Sequence, residues 1–189
     1  MLKLKVVLVG MSGVGKTSLI TRYCLDTFHN DMNTTVGIDF MSKKMVVQDK
    51  TINLQFWDTA GQEKYKWLVP SYIRDCAIAL VVFDVTSKDT FEEAKQYIEN
   101  VKSIRGDEAL IALIGNKIDL LKEKSFDTTA SDFAKQSKLL YFEVSAKDGT
   151  NVNSMFQTLG ENALPLSKSF DNPPVVIVKE EPSKKGCFC

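Results

Sequence analysis

Short uninterrupted apolar runs alternate along this chain with stretches whose apolar residues recur at three- and four-residue spacing. Leu4 to Val9 is such a run, ended by glycine, and Gly15 to Leu25 has the helical spacing. Ile38 to Val47 and Thr51 to Trp57 are strand-like, and the tight turn at Gln48-Asp49-Lys50 makes them an antiparallel pair. Ala77 to Phe83, Ala109 to Ile114 and Leu140 to Val144 carry little polar interruption, as parallel strands covered on both faces do. Thr90 to Ile104, Thr128 to Lys138 and Val152 to Ala163 return to helical spacing. This alternation predicts an α/β domain built on a six-stranded, mostly parallel sheet with one antiparallel strand and helices on both faces. Ligands of such sheets bind outside the carboxyl ends of the strands.

Four of the five prolines fall at Pro165, Pro173, Pro174 and Pro182. That shift divides the chain into a folded domain over residues 1–164 and a flexible tail over 165–189. No repeat of 20 to 50 residues and no low-complexity tract interrupts the domain.

Composition narrows the class. Apolar residues are 44% and charged residues 25% of the 189, which excludes disordered, collagenous and coiled-coil classes. A chain of this size buries about 70% of its unfolded surface, enough for a core without disulfides or structural metal. The run Ala77 to Phe83 is far shorter than the ~20 residues a membrane-spanning helix needs. Twenty-four basic side chains balance twenty-four acidic ones, so no long-range field favours nucleic acid. The N-terminal residues lack the small-residue cleavage site of a secretory signal, and the expectation is a cytosolic chain. Cys24 and Cys76 stand alone as buried small hydrophobes, and the single histidine, His29, leaves no Ser-His-Asp system and no multi-histidine metal site.

The chemistry begins where the first run ends. Gly10-Met11-Ser12-Gly13-Val14-Gly15-Lys16-Thr17 fits G-x-x-x-x-G-K-[ST] between a strand and a helix, the context that motif requires. Its glycines let main-chain amides wrap phosphate without Cβ clashes, and the helix N-terminus adds positive potential. Ser12, Gly13, Val14, Gly15 and Ser18 line this cradle. Lys16 neutralises β and γ oxygens, and the Thr17 hydroxyl ligates Mg²⁺. The motif marks a nucleoside triphosphate site and says nothing of the base.

The base is read at Asn116-Lys117-Ile118-Asp119, at the end of the Ala109 to Ile114 strand and its Gly115. A carboxylate there accepts from guanine N1–H and the 2-amino group, whereas adenine presents an acceptor and no amino group and leaves the charge unpaired. Such unsatisfied buried groups discriminate by about 10⁴ to 10⁵. N-K-x-D alone is common by chance; its placement after a phosphate loop and the right strand gives it weight. Ser145-Ala146-Lys147, after the last strand, adds a backbone amide for the guanine oxygen and an aliphatic stem over the ring. Between these lies Trp57-Asp58-Thr59-Ala60-Gly61-Gln62-Glu63. Asp58 can hold Mg²⁺ through water, Gly61 can offer its amide to a γ-phosphate, and Gln62 can orient the attacking water. Thr35 is the best second hydroxyl for Mg²⁺, with Thr34 its competitor. Phe28 is a candidate to stack on the guanine face, with core or loop packing the equal alternative.

With these elements in order, residues Leu4 to about Ala163 resemble a small GTPase of the Ras superfamily, and the Rab branch most of all. The Rab marks are Val36-Gly37-Ile38-Asp39-Phe40, Leu54 to Glu63, and Leu80-Val81-Val82-Phe83-Asp84-Val85-Thr86. Ser71-Tyr72-Ile73-Arg74-Asp75, with Val14 to Arg22, is most similar to the Golgi-associated subfamily, Rab six. The resemblance implies the P-loop NTPase G-domain fold and a GTP/GDP switch with Mg²⁺ that hydrolyses GTP slowly. Lys16 and Gln62 are its catalytic groups, and Thr35 and Gly61 sense the γ-phosphate. It implies an effector surface around Ile38, Phe40, Trp57 and Tyr72. The implied partners are a GTPase-activating protein, a guanine nucleotide exchange factor, a GDP dissociation inhibitor, a prenyltransferase complex and tethering or motor effectors. No arginine lies between Phe28 and Phe40 to act in cis, in keeping with a separate activating protein. Trp67 departs from the small polar residue usual in Rabs, and Ser12 from the glycine of Ras. The ending Cys187-Phe188-Cys189 resembles the C-x-C that receives two geranylgeranyl groups, enough for stable anchoring on the cytoplasmic face of Golgi membranes or associated vesicles. A non-hydrolysing scaffold would not need Gln62, and a P-loop ATPase or kinase would lack N-K-x-D.

Overall fold

The computed structural model describes residues 1–29, 38–59, 69–121 and 128–165. Six strands form one sheet: β1 (Leu2–Val9), β2 (Ile38–Val47), β3 (Lys50–Thr59), β4 (Ile78–Asp84), β5 (Leu110–Asn116) and β6 (Leu140–Glu143). Their order is β2-β3-β1-β4-β5-β6. Only β2 runs antiparallel to its neighbour, pairing with β3 from Ile38↔Thr59 to Val47↔Lys50, and the other pairings are parallel. The helices are α1 (Lys16–Leu25), α2 (Val69–Ile73), α3 (Lys88–Arg105), α4 (Thr129–Gln136) and α5 (Val152–Ala163), with 3₁₀ turns at Gly106–Glu108 and Ile118–Leu120.

Alternate residues of the central strands feed two apolar layers, because successive strand side chains point to opposite faces. Leu4, Val6 and Leu8 join Leu19, Ile20, Phe156 and Leu159 of α1 and α5 on one face. Val7, Val9, Ala79 and Val81 join Phe91, Ile98 and Val101 of α3 and Ala130 and Ala134 of α4 on the other. All seven residues of β4 are buried, which explains its lack of polar interruption. Tyr23, Phe56 and Phe156 form the aromatic centre of the first layer, with Tyr23 stacked on Phe156 at 3.9 Å and Phe56 edge-on to Phe156 at 5.4 Å. Among the described residues, no helix is long and apolar enough to cross a membrane.

The six strands and the helices on both faces agree with the pattern in the sequence, and the differences are informative. The short helix α2 has no counterpart there, since five residues are too few to show a helical period. β4 and β5 extend past their apolar runs to Asp84 and Asn116, which pair across the ladder. Asp58 likewise lies inside β3 rather than at its end. Polar side chains therefore sit on or beside the last rung of three strands, at their carboxyl ends. The chain leaves β1 toward β3 on one side and returns on the other at β4, so these ends border the crevice where such sheets bind ligands.

Gln48 and Asp49 close the β2–β3 hairpin with φ of 47° and 61°. Both positions lie in the left-handed region, which a two-residue hairpin turn requires and which suits Asn-Gly better than Gln-Asp. Replacing Gln48→Asn together with Asp49→Gly should stabilise the domain by about 1 kcal/mol and raise its melting temperature by about 2–4 °C in calorimetry.

Candidate functional site

The loop from Gly10 to Gly15 joins β1 to α1 in a path only glycine permits at its ends. Gly10 has φ +144°, and a Cβ there would stand 2.2 Å from the Val82 carbonyl oxygen; at Gly15, φ +92°, it would stand 2.4 Å from Asn116 Nδ2. Gly13, φ +78°, faces open space on the exposed side of the loop. No side chain caps the N-terminus of α1, so that helix end suits an anion. Lys16, the first residue of α1, is 5% exposed and curls back over its own loop, donating to the Gly10 carbonyl at 2.9 Å and the Met11 carbonyl at 2.8 Å. Burial lowers its pKa to about 8, against the opposing charge of Asp58. Its hydrogen-bond partners are uncharged carbonyls, so an incoming phosphate would add opposite charge in direct contact with this ammonium.

One residue along α1, the Thr17 hydroxyl donates to Asp58 Oδ2 on β3. Asp58 is buried. A hydroxyl and a carboxylate beside a phosphate loop are hard oxygen donors, and they fit Mg²⁺, which takes one or two protein oxygens and completes its octahedron with phosphate and water. Among the described residues, no group of three or more His, Cys, Asp or Glu is placed to hold a metal ion.

The second half of the crevice is built on β5 and the loops beyond it. Asn116 is buried and makes two bonds: its Nδ2 donates to the Val14 carbonyl at 2.9 Å, and its Oδ1 accepts the Ala146 amide at 3.1 Å. The phosphate loop and the 145–147 loop are thereby tied to one side chain. Lys117 adopts φ 71° and pairs through Nζ with Asp84 at 2.7 Å. Asp119 Oδ1 accepts the Ser145 hydroxyl at 2.7 Å, and Lys147 Nζ stands 4.0 Å from Asp119 Oδ2. Ser145 Oγ in turn accepts the Asp148 amide at 3.2 Å. Asp119 is thus held on one oxygen, with acceptor capacity to spare for a pair of N–H donors. Of the backbone amides of Ser145-Ala146-Lys147, one of which the sequence offers to a base oxygen, that of Ala146 donates to Asn116 Oδ1.

The structure therefore ties the segment of Ser12, Gly13, Val14, Gly15, Lys16, Thr17 and Ser18 to Asn116, and through it to Ala146, with Asp119 joined to Ser145 and Lys147, Lys117 to Asp84, and Asp58 to Thr17. Phe28 lies half-buried in the loop after α1. Thr35, Gly61, Gln62, Trp67, Cys187 and Cys189 lie outside the described residues, and so does the side chain of Ile38. Phe40, Trp57 and Tyr72 form a row on the other side of β3. Phe40 meets Trp57 edge-on at 5.7 Å, and Trp57 stacks with Tyr72 at 6.3 Å.

Asp84 is a site residue the motifs do not announce. Burial pushes its carboxyl up, but hydrogen bonds from Lys117 and from the Thr86 hydroxyl and amide outweigh that and hold it below its ordinary value. The signal was a carboxylate ending a wholly apolar strand, a position that demands a partner, but the partner comes from the next strand's loop.

A glycine loop between β1 and α1, with Lys16 folded over it and Asn116 of β5 tied to it, is the arrangement of a P-loop nucleotide-binding domain. The family model described as Ras family matches residues 5–164, and the chain belongs to the Ras family. It is a small GTPase, binding guanine nucleotide and hydrolysing GTP.

Asn116→Ala removes both ties between the two loops and leaves two buried backbone groups unpaired, each at about 1–3 kcal/mol. Nucleotide release followed by stopped-flow fluorescence should quicken by about tenfold or more.

Proposed function

We propose that this small GTPase is a Rab-type regulator of vesicle-mediated membrane transport, most similar to the Golgi-associated Rab six subfamily. The observation that carries the reading is the row of Phe40, Trp57 and Tyr72. Phe40 is half exposed on the edge strand β2, Trp57 of β3 stands next to it, and Tyr72 of α2 stacks on the Trp57 ring. These elements adjoin the two segments, 30–37 and 60–68, that carry Thr35, Gly61 and Gln62. In this reading Thr35 and Gly61 contact the γ-phosphate, so that its presence orders both segments and completes the aromatic surface together with Ile38. Lys16 neutralises the phosphoryl oxygens, Thr17, Thr35 and Asp58 hold Mg²⁺, and Gln62 orients the attacking water. Intrinsic turnover is slow and rises with a separate activating protein, since the loop between Phe28 and Phe40 holds no arginine. An exchange factor, a GDP dissociation inhibitor and tethering or motor effectors complete the cycle.

At the other end of the ligand, Asp119 accepts from guanine N1–H and the 2-amino group, with Phe28 and the Lys147 stem on the ring faces. The segment 165–189 carries geranylgeranyl groups on Cys187 and Cys189 and holds the domain on the cytoplasmic face of Golgi or vesicle membranes. Lys184 and Lys185 are offset by Glu180 and Glu181, so the lipids carry the anchoring.

Two measurements test these assignments separately. Asp119→Asn should exchange guanine for xanthine preference in a competition assay, because an amide can donate to the carbonyl that replaces the 2-amino group; unchanged selectivity removes Asp119 from the base. Incubating the full chain with the Rab prenyltransferase complex and geranylgeranyl diphosphate should add two lipid masses, both lost in the Cys187→Ser, Cys189→Ser double variant. A chain that accepts no lipid contradicts the Rab assignment and leaves the guanine reading intact.

A further inference from the structure

Helix α1 begins at the phosphate loop, but its last turn lies about 9 Å further along the axis, beside the loop that carries Ser145 and Ala146. Arg22 stands there with a side chain 17% exposed. Its guanidinium presents two edges to two different neighbours. Nε donates to the Ala146 carbonyl at 3.0 Å and Nη2 to the Lys147 carbonyl at 2.6 Å. Nη1 donates to the Asp26 carbonyl at 2.9 Å and to Asp26 Oδ1 at 3.1 Å. The second edge closes the end of α1, where Asp26 is a left-handed cap whose amide returns to the Arg22 carbonyl. The first edge grips two consecutive carbonyls of another loop, a fork that a planar guanidinium makes and an ammonium cannot.

What that grip controls follows from peptide geometry. In a planar trans peptide the C=O and the next N–H point in opposite directions. Holding the Lys147 carbonyl toward α1 therefore turns the Asp148 amide away from it, and that amide donates to Ser145 Oγ at 3.2 Å. The Ser145 hydroxyl then donates to Asp119 Oδ1 at 2.7 Å. One continuous path of hydrogen bonds and a single peptide plane runs from Arg22 to the carboxylate that faces the base. The Ala146 carbonyl, held by the same fork, fixes the Ala146–Lys147 peptide plane, and the plane before it is tied through the Ala146 N–H to Asn116.

We propose that Arg22 is a positioning residue for base selectivity, fixing the 145–148 loop and through it the orientation of Asp119 toward the guanine 2-amino group. The proposal rests on the assignment of Asp119 to the base. Loss of the fork frees the loop, the Ser145 hydroxyl no longer orients one carboxylate oxygen, and the paired hydrogen bonds to the base weaken more than the phosphate contacts do.

The test is equilibrium binding of GDP and of inosine diphosphate, which lacks the 2-amino group, to the full chain as wild type, Arg22→Met, Arg22→Lys and Asp26→Ala, with the melting temperature of each. Arg22→Met should shrink the preference for GDP over inosine diphosphate by about tenfold, and Arg22→Lys, able to hold one carbonyl, should fall between it and wild type. Asp26→Ala removes only the carboxylate partner at the helix end and leaves the fork on Ala146 and Lys147, so it should keep the wild-type preference even if melting falls. A preference unchanged in both Arg22 variants, whatever their affinity or melting temperature, overturns the proposal. Where Arg22→Met does not fold, Arg22→Lys alone decides by the same criterion. If wild type itself binds the two nucleotides equally, it is the assignment of Asp119 that fails.

Discussion

One buried amide side chain holds the site together. Asn116 closes β5, and both ends of its carboxamide are committed, one to the phosphate loop through the Val14 carbonyl and the other to the 145–147 loop through the Ala146 amide. These loops come from opposite ends of the domain's sequence, and neither could hold its conformation by local turn chemistry alone. Buried in an apolar sheet, the carboxamide has no water to fall back on, so losing either bond leaves a buried polar group unpaired. The same contact explains the absence of a side chain at Gly15, where a Cβ would press on Asn116 Nδ2.

Charge in the crevice is arranged by the same logic. Lys16 lies under its own carbonyls with its pKa lowered by burial, and Asp58 is engaged by Thr17. Lys117 is paired with Asp84, and Asp119 is braced by Ser145. Each group sits in an interaction a nucleotide can replace or share: phosphate for the carbonyls on Lys16, a metal for the proton between Thr17 and Asp58, paired N–H donors for the open acceptors of Asp119. Ligand binding in such a site is an exchange of partners, and its net strength is the difference between two well-satisfied states. This favours a protein whose affinity can be altered by modest shifts of its loops, as a switch requires.

Most of the architecture was legible because its causes are local. The uninterrupted apolar run Ala77 to Phe83 has the pattern of a doubly covered strand, and a G-x-x-x-x-G-K-[ST] loop between strand and helix that of a phosphate cradle. α2 and the polar last rungs of β4 and β5 were not legible. A five-residue helix has no period to detect, and hydropathy places a strand's end at its last apolar residue, whereas hydrogen-bond pairing carries β4 and β5 on to Asp84 and Asn116.

The phosphate and base motifs were likewise readable as residue types at fixed spacing, because phosphate and guanine impose their own donor and acceptor patterns on whatever binds them. What spacing could not convey is which protein group supports each of them. Asp84 supports Lys117 from the neighbouring strand, and Arg22 reaches the Ala146 and Lys147 carbonyls across more than a hundred residues of sequence. The sequence by itself determined the alternation of elements and the chemistry at the crevice, since both follow from side-chain identity and short-range period. Only the tertiary structure decided how that chemistry is braced, because bracing is a matter of which distant carbonyls and carboxylates meet when two apolar layers close on one sheet.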